Sequence, residues 1–327
     1  MDRRRRRTRA LAPGPVLLFL ALTGSAALAA DAGPPPLRAM RWVPHDADPV
    51  RAFATTPAEC LKLPKDADAA LSVEVGRAAF RTPVLLGGQA ARAGINCETC
   101  HRSGRTNPDF QFPGASGDPG TADVTLSLFS SHRGNGVHDP KPIPDLTGPK
   151  ERLKVAVADR PKFIHGLITE EFDGPEPTPA VLAGLVAYVS ALDPAACPRT
   201  AREAVTAELL MSDARRALAA ARAELARGDR PTAVLMVASA RARLGLIDER
   251  YAKLPAERER LRAADAALLD LQTAIRAAQP DANARLSRWL DAAPALEAAL
   301  KAREPRSLFN RERLSQAANR PLPANPS

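Results

Sequence analysis

The chain has 327 residues, including four Cys and five His, and a formal net charge of +9. The first 29 residues hold six Arg and one Asp, so the rest of the chain is near +4 (9 − 6 + 1). This modest excess, with aromatic residues at only 4%, argues against nucleic acid as a partner, whereas a mildly basic surface could attract an acidic protein.

The N-terminus has the order of an export signal. Arg3–Arg7 are basic, Val16–Leu22 are apolar, and Ala27–Ala29 supply small residues for cleavage. The apolar run is shorter than the roughly 20 residues that a bilayer span requires, although an uncleaved anchor is the alternative. We therefore expect residues 1–29 to be a signal peptide cleaved near Ala29, which leaves a periplasmic protein without a stable membrane span.

The next segment, residues 30–58, is rich in Pro, Ala and Asp without a steady period, and this predicts a flexible tether. A first helix is predicted at Ala67–Phe80. Its apolar residues Leu71, Val75 and Ala78 lie on one face at helical spacing.

Residues 97–101 read Cys-Glu-Thr-Cys-His. Two thiols three positions apart can each add to one vinyl group of a porphyrin, and the His that follows is placed to bind its iron. A zinc site would need two more ligands at matching spacing, yet Cys60 and Cys197 are solitary. A thioredoxin-like redox pair would open a helix after a strand, and no βαβ pattern is present here. The motif therefore predicts one covalently attached haem c, held by Cys97, Cys100 and His101.

A second strong helix is predicted at Thr178–Leu192. Pro179 suits its first turn, and an apolar stripe follows it, formed by Leu182, Leu185, Val186, Val189 and Leu192.

The two helices resemble the pair that crosses beside the haem in cytochrome c. Gly76 and Phe80 on the first helix, with Leu185 and Tyr188 on the second, match that family's Gly-aromatic and Leu-x-x-aromatic positions. The resemblance implies an all-α fold with a cytochrome c-like haem domain at residues 59–198.

A closer resemblance covers residues 75–146. Gly76–Phe80, which reads Gly-Arg-Ala-Ala-Phe, then Pro83 and the haem motif are similar to the haem domain of the di-haem cytochrome c peroxidase and MauG-like family. Residues 126–146 are similar in character to that family's loop over the distal haem face, and residues 160–166 to its aromatic-x-His-x-Gly segment. Those enzymes carry two haem motifs, one for peroxide and one to deliver electrons, whereas this chain has one CxxCH.

Histidines are the main candidates for the sixth iron ligand. His132 lies roughly where the peroxidase family places its distal His, and His165 lies closer to the ligand position of small cytochromes. His138 lies between them in a turn, and an open sixth site is the alternative. A bis-His iron is closed to substrate and has a low potential, whereas an open iron can bind peroxide or small gases.

Methionine is scarce near the motif. None lies between His101 and Tyr188, and Met211 and Met236 occur in helical sequence further on, where core packing is the favoured interpretation.

Four arginines are candidates for pairing with haem propionates, because a guanidinium matches a carboxylate: Arg102, Arg105, Arg133 and Arg160.

Cys60 and Cys197 flank the two predicted helices and remain after the haem has taken its pair. In an oxidising compartment they are predicted to form a disulfide, and two unpaired thiols are the alternative.

Ala, Leu, Arg and Glu dominate residues 199–304, where breaks separate four predicted helices. They are expected near Ala201–Arg227, Pro231–Leu244, Ala256–Ala278 and Ala282–Ala302. An antiparallel bundle for docking or scaffolding is predicted, with a solenoid-like helical repeat as the alternative. Residues 305–327 lose the period and are expected to form a loose tail.

Together these patterns predict an exported mono-haem c-type cytochrome that exchanges electrons with redox partner proteins in the periplasm. The alternatives are a peroxidase-like enzyme and a haem-based sensor, both with an open sixth iron site.

Overall fold

The computed structural model describes residues 35–125, 128–148, 155–199 and 201–318. The predicted signal peptide, its cleavage site near Ala29 and the last nine residues lie outside these ranges. The described residues are mainly α-helical, as the all-α prediction requires. None of their helices combines the length and the apolar character needed to cross a membrane.

The N-terminal segment is folded, so the tether prediction is wrong for residues 35–57. A 3-10 turn at Arg38–Trp42, a π-helical turn at Val50–Ala54 and strand β1 (Thr55–Pro57) follow one another. Strand β1 pairs antiparallel with β6 (Arg202–Ala204). The buried side chains of this segment form a small cluster with the far end of the chain: Leu37, Met40, Ala52, Phe53, Ala54 and Leu314. Hydrophobic periodicity could not predict this contact, because its two sides lie far apart in the sequence.

The two helices predicted for the haem unit are present. Helix α1 (Ala67–Phe80) begins at Asp66, whose carboxylate accepts the Ala69 N–H at 2.8 Å. Helix α5 (Pro179–Ala191) begins at Thr178, whose hydroxyl accepts the Val181 N–H at 3.2 Å. These side chains satisfy N–H groups that have no partner within the helix.

Helices α1 and α5 cross at two glycines. A Cβ on Gly76 would lie 1.8 Å from the carbonyl oxygen of Gly184, so only glycine permits this approach. Phe80 and Tyr188 pack beside the crossing, with ring centroids 5.1 Å apart. The predicted contact of Gly76 and Phe80 with Leu185 and Tyr188 is confirmed, since the backbone of Leu185 also borders Gly76.

Short elements form the part of the chain that connects α1 to α5. They are helices α2 (Gly88–Ala93), α3 (Cys97–Cys100) and α4 (Arg160–Gly166), and strand pairs β2 (His101–Arg102) with β3 (Arg105–Thr106) and β4 (Thr121–Ala122) with β5 (Lys141–Pro142). Ser103 and Gly104 join β2 to β3 with φ values of 52° and 77°, both in the left-handed region that two-residue hairpin turns require.

Residues 207–303 form four helices in a closed bundle. They are α6 (Ala207–Ala226), α7 (Arg230–Arg250), α8 (Pro255–Arg276) and α9 (Ala282–Arg303). Helices α6 and α8 each contact both α7 and α9, which closes the ring. Helix α6 starts later than predicted because residues 202–204 form strand β6. Helix α7 continues past Gly245 to Arg250, beyond its predicted end.

The C-terminal segment corrects another expectation. Residues 305–318 are ordered, with helix α10 (Arg311–Ala318) at their end, so the loose-tail prediction is wrong for this part. Leu314 is fully buried, and Phe309 packs edge-on against Tyr251 with ring centroids 5.8 Å apart. Two apolar anchors in 14 residues are too few to create a periodic pattern.

Residues 59–198 and the bundle share one hydrophobic core that runs from Val73 to Phe309. Helix α1 contacts both α6 and α7. At this junction the Ser239 hydroxyl of α7 donates to the Ala78 carbonyl of α1 at 2.9 Å. The boundary predicted at residues 198–199 is therefore not a gap in packing.

Candidate functional site

The two cysteines of the motif occupy a single capped helical turn. Asn96 accepts the Thr99 N–H at 3.0 Å, and the Thr99 hydroxyl accepts the Asn96 N–H at 3.1 Å. This reciprocal capping fixes a helix of only four residues. Cys97 and Cys100 are unpaired thiols, each partly exposed at one side of the turn.

The other two cysteines form the predicted disulfide. Cys60 and Cys197 are bonded, with their Cα atoms 4.1 Å apart. The Asp193 N–H also donates to the Cys60 carbonyl at 2.8 Å. The bond thus joins the chain just before α1 to the chain just after α5, as the positions of the two cysteines predict, and the alternative of two unpaired thiols is wrong.

The imidazole of His101 is oriented by one backbone carbonyl. Its Nδ1 lies 3.0 Å from the carbonyl oxygen of Pro144, and an oxygen in that position can only accept a hydrogen bond. The proton is therefore on Nδ1, and Nε2 keeps a free lone pair, which is the tautomer that a metal ligand needs.

The backbone that carries the Pro144 carbonyl is tied to the hairpin that carries His101. The Leu146 N–H donates to the Gly104 carbonyl at 2.9 Å, and the Thr106 hydroxyl donates to the Ile143 carbonyl at 2.9 Å. Burial lowers the pKa of His101 to about 4, although the bond to Pro144 opposes that shift. The ring is thus neutral near pH 7.

The two thiols differ from the reactive cysteines of redox sites. Burial raises the pKa of both Cys97 and Cys100 to about 12, whereas thiols that attack disulfides have a lowered pKa. Across the described ranges, no group of three or more His, Cys, Asp or Glu side chains is arranged to hold a metal ion.

Glu98, inside the motif, connects the haem turn to two helices. Its carboxylate accepts hydrogen bonds from Arg81 at 3.0 Å and from Arg243 at 3.2 Å. Arg81 follows α1, and Arg243 belongs to α7 of the bundle. No role for Glu98 could be predicted from the sequence, because the middle positions of a CxxCH motif carry no fixed chemistry.

A buried ion network continues behind Glu98. Arg81 also donates to Glu59 at 2.9 Å, and Glu59 accepts the Tyr188 hydroxyl at 2.6 Å and pairs with Arg77. Burial alone would raise the pKa of Glu59, but Arg81 and Arg77 hold it below its ordinary value. The pKa of Arg81 is raised against its own burial by Glu98 and Glu59.

The structure separates the histidine candidates for the sixth ligand. His165 lies on α4, and its Nε2 lies 2.9 Å from both carboxylate oxygens of Glu176. His132 and His138 lie on an exposed loop. The backbone N–H of His132 donates to the Ser130 hydroxyl at 3.0 Å, which positions the chain and leaves the ring unconstrained by that bond.

The methionines are in cores. Met211 and Met236 are fully buried in the bundle, so their prediction as packing residues is confirmed. Met40 is buried in the N-terminal cluster. No other methionine occurs in the described part of the chain.

All four arginines assigned to propionates have at least one protein partner. Arg102 donates to the carbonyls of Ala52 and Thr55, and two others pair with acidic side chains, Arg105 with Asp145 and Arg133 with Glu170 and Glu171. Arg160 is only 4% exposed and donates to the Ser190 hydroxyl at 3.2 Å, while its Nε and Nη2 have no partner. Those buried donors fit an acceptor such as a carboxylate.

No family model, curated protein or solved structure matches this chain. The resemblance to cytochrome c and to the di-haem peroxidases therefore stays a prediction from the motifs.

Proposed function

We propose that this protein is a mono-haem c-type cytochrome that transfers electrons. The observation that carries the proposal is the bond between His101 Nδ1 and the Pro144 carbonyl, which leaves Nε2 as a neutral ligand directly beside two unpaired thiols. A redox pair needs no such histidine and a zinc site needs a fourth ligand, whereas covalent haem attachment needs these three residues.

Four residues would hold the haem. Cys97 and Cys100 would form the thioether bonds, His101 would bind the iron, and Arg160 has the spare donors for a propionate. The haem would supply a one-electron change at its iron. The protein supplies the orientation of the imidazole and a packed scaffold behind the motif.

The setting follows from the same proposal. The basic and apolar order of residues 1–29 and the Cys60–Cys197 disulfide both suit the periplasm. The partners would be redox proteins of that compartment, and the helical bundle would serve docking or scaffolding. Nucleic acid is not among the proposed partners.

Covalent haem is the first prediction. Thioether bonds survive denaturation, so protein from a host with haem-attachment machinery should keep its haem stain on a denaturing gel. The double change Cys97→Ala with Cys100→Ala should abolish the stain. Cys60→Ser with Cys197→Ser removes the same number of cysteines from the same chain and should retain it. Unstained wild-type protein, or a stain that survives loss of Cys97 and Cys100, would show that the proposal is wrong.

A second candidate function is a peroxidase-like enzyme or a haem-based sensor. The observation that favours it is that His165 is bonded to Glu176 and the described methionines are in cores, which leaves few groups to close the sixth iron position. An open iron binds carbon monoxide when reduced and reacts with peroxide, and a closed iron does neither. The spectrum of the purified holoprotein with each reagent distinguishes the two functions.

A further inference from the structure

A cavity of about 230 Å³ lies on the side of the haem turn that carries Glu98 and Thr99. Four parts of the chain form its wall: the N-terminal segment around Trp42 and Phe53, the end of α1 with Arg77 and Arg81, residues 93–110, and residues 203–250. Neither thiol of the motif lines it, and nor does His101. The cavity is therefore distinct from the proposed haem site.

The carboxylates of the wall are almost all neutralised by arginine. Three of them pair with arginines of the same wall: Glu59 with Arg77 and Arg81, Glu98 with Arg81 and Arg243, and Glu249 with Arg38. Two others, Asp109 and Asp213, pair with Arg51 and Arg216, which do not line the cavity. Glu203 remains, exposed at the rim, and burial raises its pKa. The buried wall thus presents little uncompensated negative charge.

Two arginines of the wall bind no carboxylate. Arg102 donates to the Ala52 and Thr55 carbonyls, and Arg250 donates to the Phe53 and Leu308 carbonyls. Burial lowers the pKa of each to about 10, and the charge of Arg102 lowers that of Arg250 further. Both remain cationic at pH 7, so the wall holds two cations that have no carboxylate partner.

Unpartnered donors lie in the same wall as these two cations. Arg243 is 4% exposed and Arg81 is 5% exposed, and Nε of Arg243 and Nη1 of Arg81 are buried without a hydrogen-bond partner, as is Nε of Arg77. Arg77 and Arg81 also border a second, water-sized void of about 10 Å³. Arg243 lines the large cavity and does not border that void. Every such atom in this wall is an N–H donor, so the matching occupant is a hydrogen-bond acceptor.

The rest of the wall is apolar and partly aromatic. Trp42, Phe53, Phe110 and Leu210 contribute to it. A dry cavity of roughly 150 Å³ holds benzene, so the present volume has room for one ring and a carboxylate. Water alone would satisfy the donors but would gain nothing from the apolar surface.

We propose that this cavity binds a small organic anion, a single carboxylate on an apolar body about the size of a benzene ring. The guanidinium groups of Arg243 and Arg250 would face the carboxylate, and the aromatic side chains would contact the ring. The site does not depend on the proposed function, since its wall includes neither thiol of the motif, nor His101, nor Arg160.

The test uses the full mature chain and benzoate as the probe. Calorimetric titration should give saturable heat at millimolar benzoate, and the melting temperature should rise with benzoate concentration. Benzyl alcohol has the same size and no charge, and should produce neither effect. Absence of saturable heat with benzoate, or an equal response to benzyl alcohol, would overturn the proposal.

A surface variant locates the binding. Ala39 is exposed and lines the mouth of the cavity, so Ala39→Trp should block entry without disturbing the core. We expect affinity for benzoate to fall by about tenfold or more. Ala295→Trp, an exposed change on α9 away from the cavity, should bind as wild type does. Unchanged affinity in a folded Ala39→Trp protein would mean that benzoate binds elsewhere and that the proposed site is wrong.

Discussion

His132 and His165 differ in what their side chains already bind. Both carboxylate oxygens of Glu176 lie within hydrogen-bond distance of His165 Nε2, whereas the ring of His132 projects from an exposed loop. To bind iron, His165 would have to give up its hydrogen bonds to Glu176, and His132 would have to give up loop entropy. We therefore predict His132 as the sixth ligand.

His132→Ala should therefore open the iron of the holoprotein. A low-spin spectrum should become high-spin, and the reduced protein should bind carbon monoxide. His165→Ala is the matched control and should leave the spectrum nearly unchanged. A wild-type protein that is already high-spin would contradict both assignments and favour the enzyme or sensor.

Glu59 gives a second prediction for a single residue. Glu59→Gln removes the charge that faces Arg77 and Arg81 and leaves those cations buried, so unfolding free energy at pH 7 should fall by about 3–5 kcal/mol. Glu208→Gln breaks the exposed pair with Lys301 and should have almost no effect.

The pH dependence of this loss follows from the direction of the shift. The pKa of Glu59 is lowered in the folded protein, so its contribution is complete above pH 4.5, the ordinary value, and is lost as pH falls through the folded pKa. The difference in stability between wild type and Glu59→Gln should therefore shrink in acid. Denaturant unfolding at pH 7 and in acid measures it. A constant difference would show that the carboxyl does not titrate with folding.

Among elements, the crossing of α1 and α5 makes the sharpest prediction. Gly76→Ala places a methyl group against the Gly184 carbonyl, and the helices must separate, at a cost of about 1–3 kcal/mol or more. Gly166→Ala is the control, because no atom lies within 4 Å of its added Cβ and alanine favours a helix by about 0.5–1 kcal/mol. Urea midpoints should move in opposite directions. An equal response would mean that the close crossing is not rigid.

Periodicity predicted the helices well and the irregular elements badly. Helix α1 was predicted with its observed bounds, and α5 within one residue at each end, because caps and apolar stripes are local signals. Strand β1 was missed because its partner β6 lies about 150 residues away and neither strand has an apolar alternation. Gly184 was also missed, although a glycine inside an apolar helix is itself a sign of close packing.

The proposed site was predictable in part. Spacing led to the proposed roles of Cys97, Cys100 and His101, which stay a prediction. The positions of Cys60 and Cys197 around the two helices predicted their disulfide, which is confirmed. The Pro144 carbonyl was not predictable, because a backbone group 43 residues away leaves no trace in residue type. The link from Glu98 to Arg243 is 145 residues long and was invisible for the same reason.

At the scale of the whole molecule, the Cys60–Cys197 bond closes a loop with a sequence separation of 137. In the chain-entropy model it stabilises the fold by about 2–5 kcal/mol. Cys60→Ser with Cys197→Ser should lower the melting temperature, and a reductant should lower that of the wild type but not that of the double variant. A melting temperature that the double change leaves unaltered would show that the bond is redundant.

The small cluster between the two ends of the chain sets an order of events during synthesis. Leu37 packs with Leu314, 277 positions later (314 − 37), so a chain that emerges from its N-terminus cannot complete the cluster until nearly all of it has emerged. Helices α1 and α5 can meet much earlier, but the segment in front of them has to wait. Under the proposed function, haem could be attached to Cys97 and Cys100 in that interval.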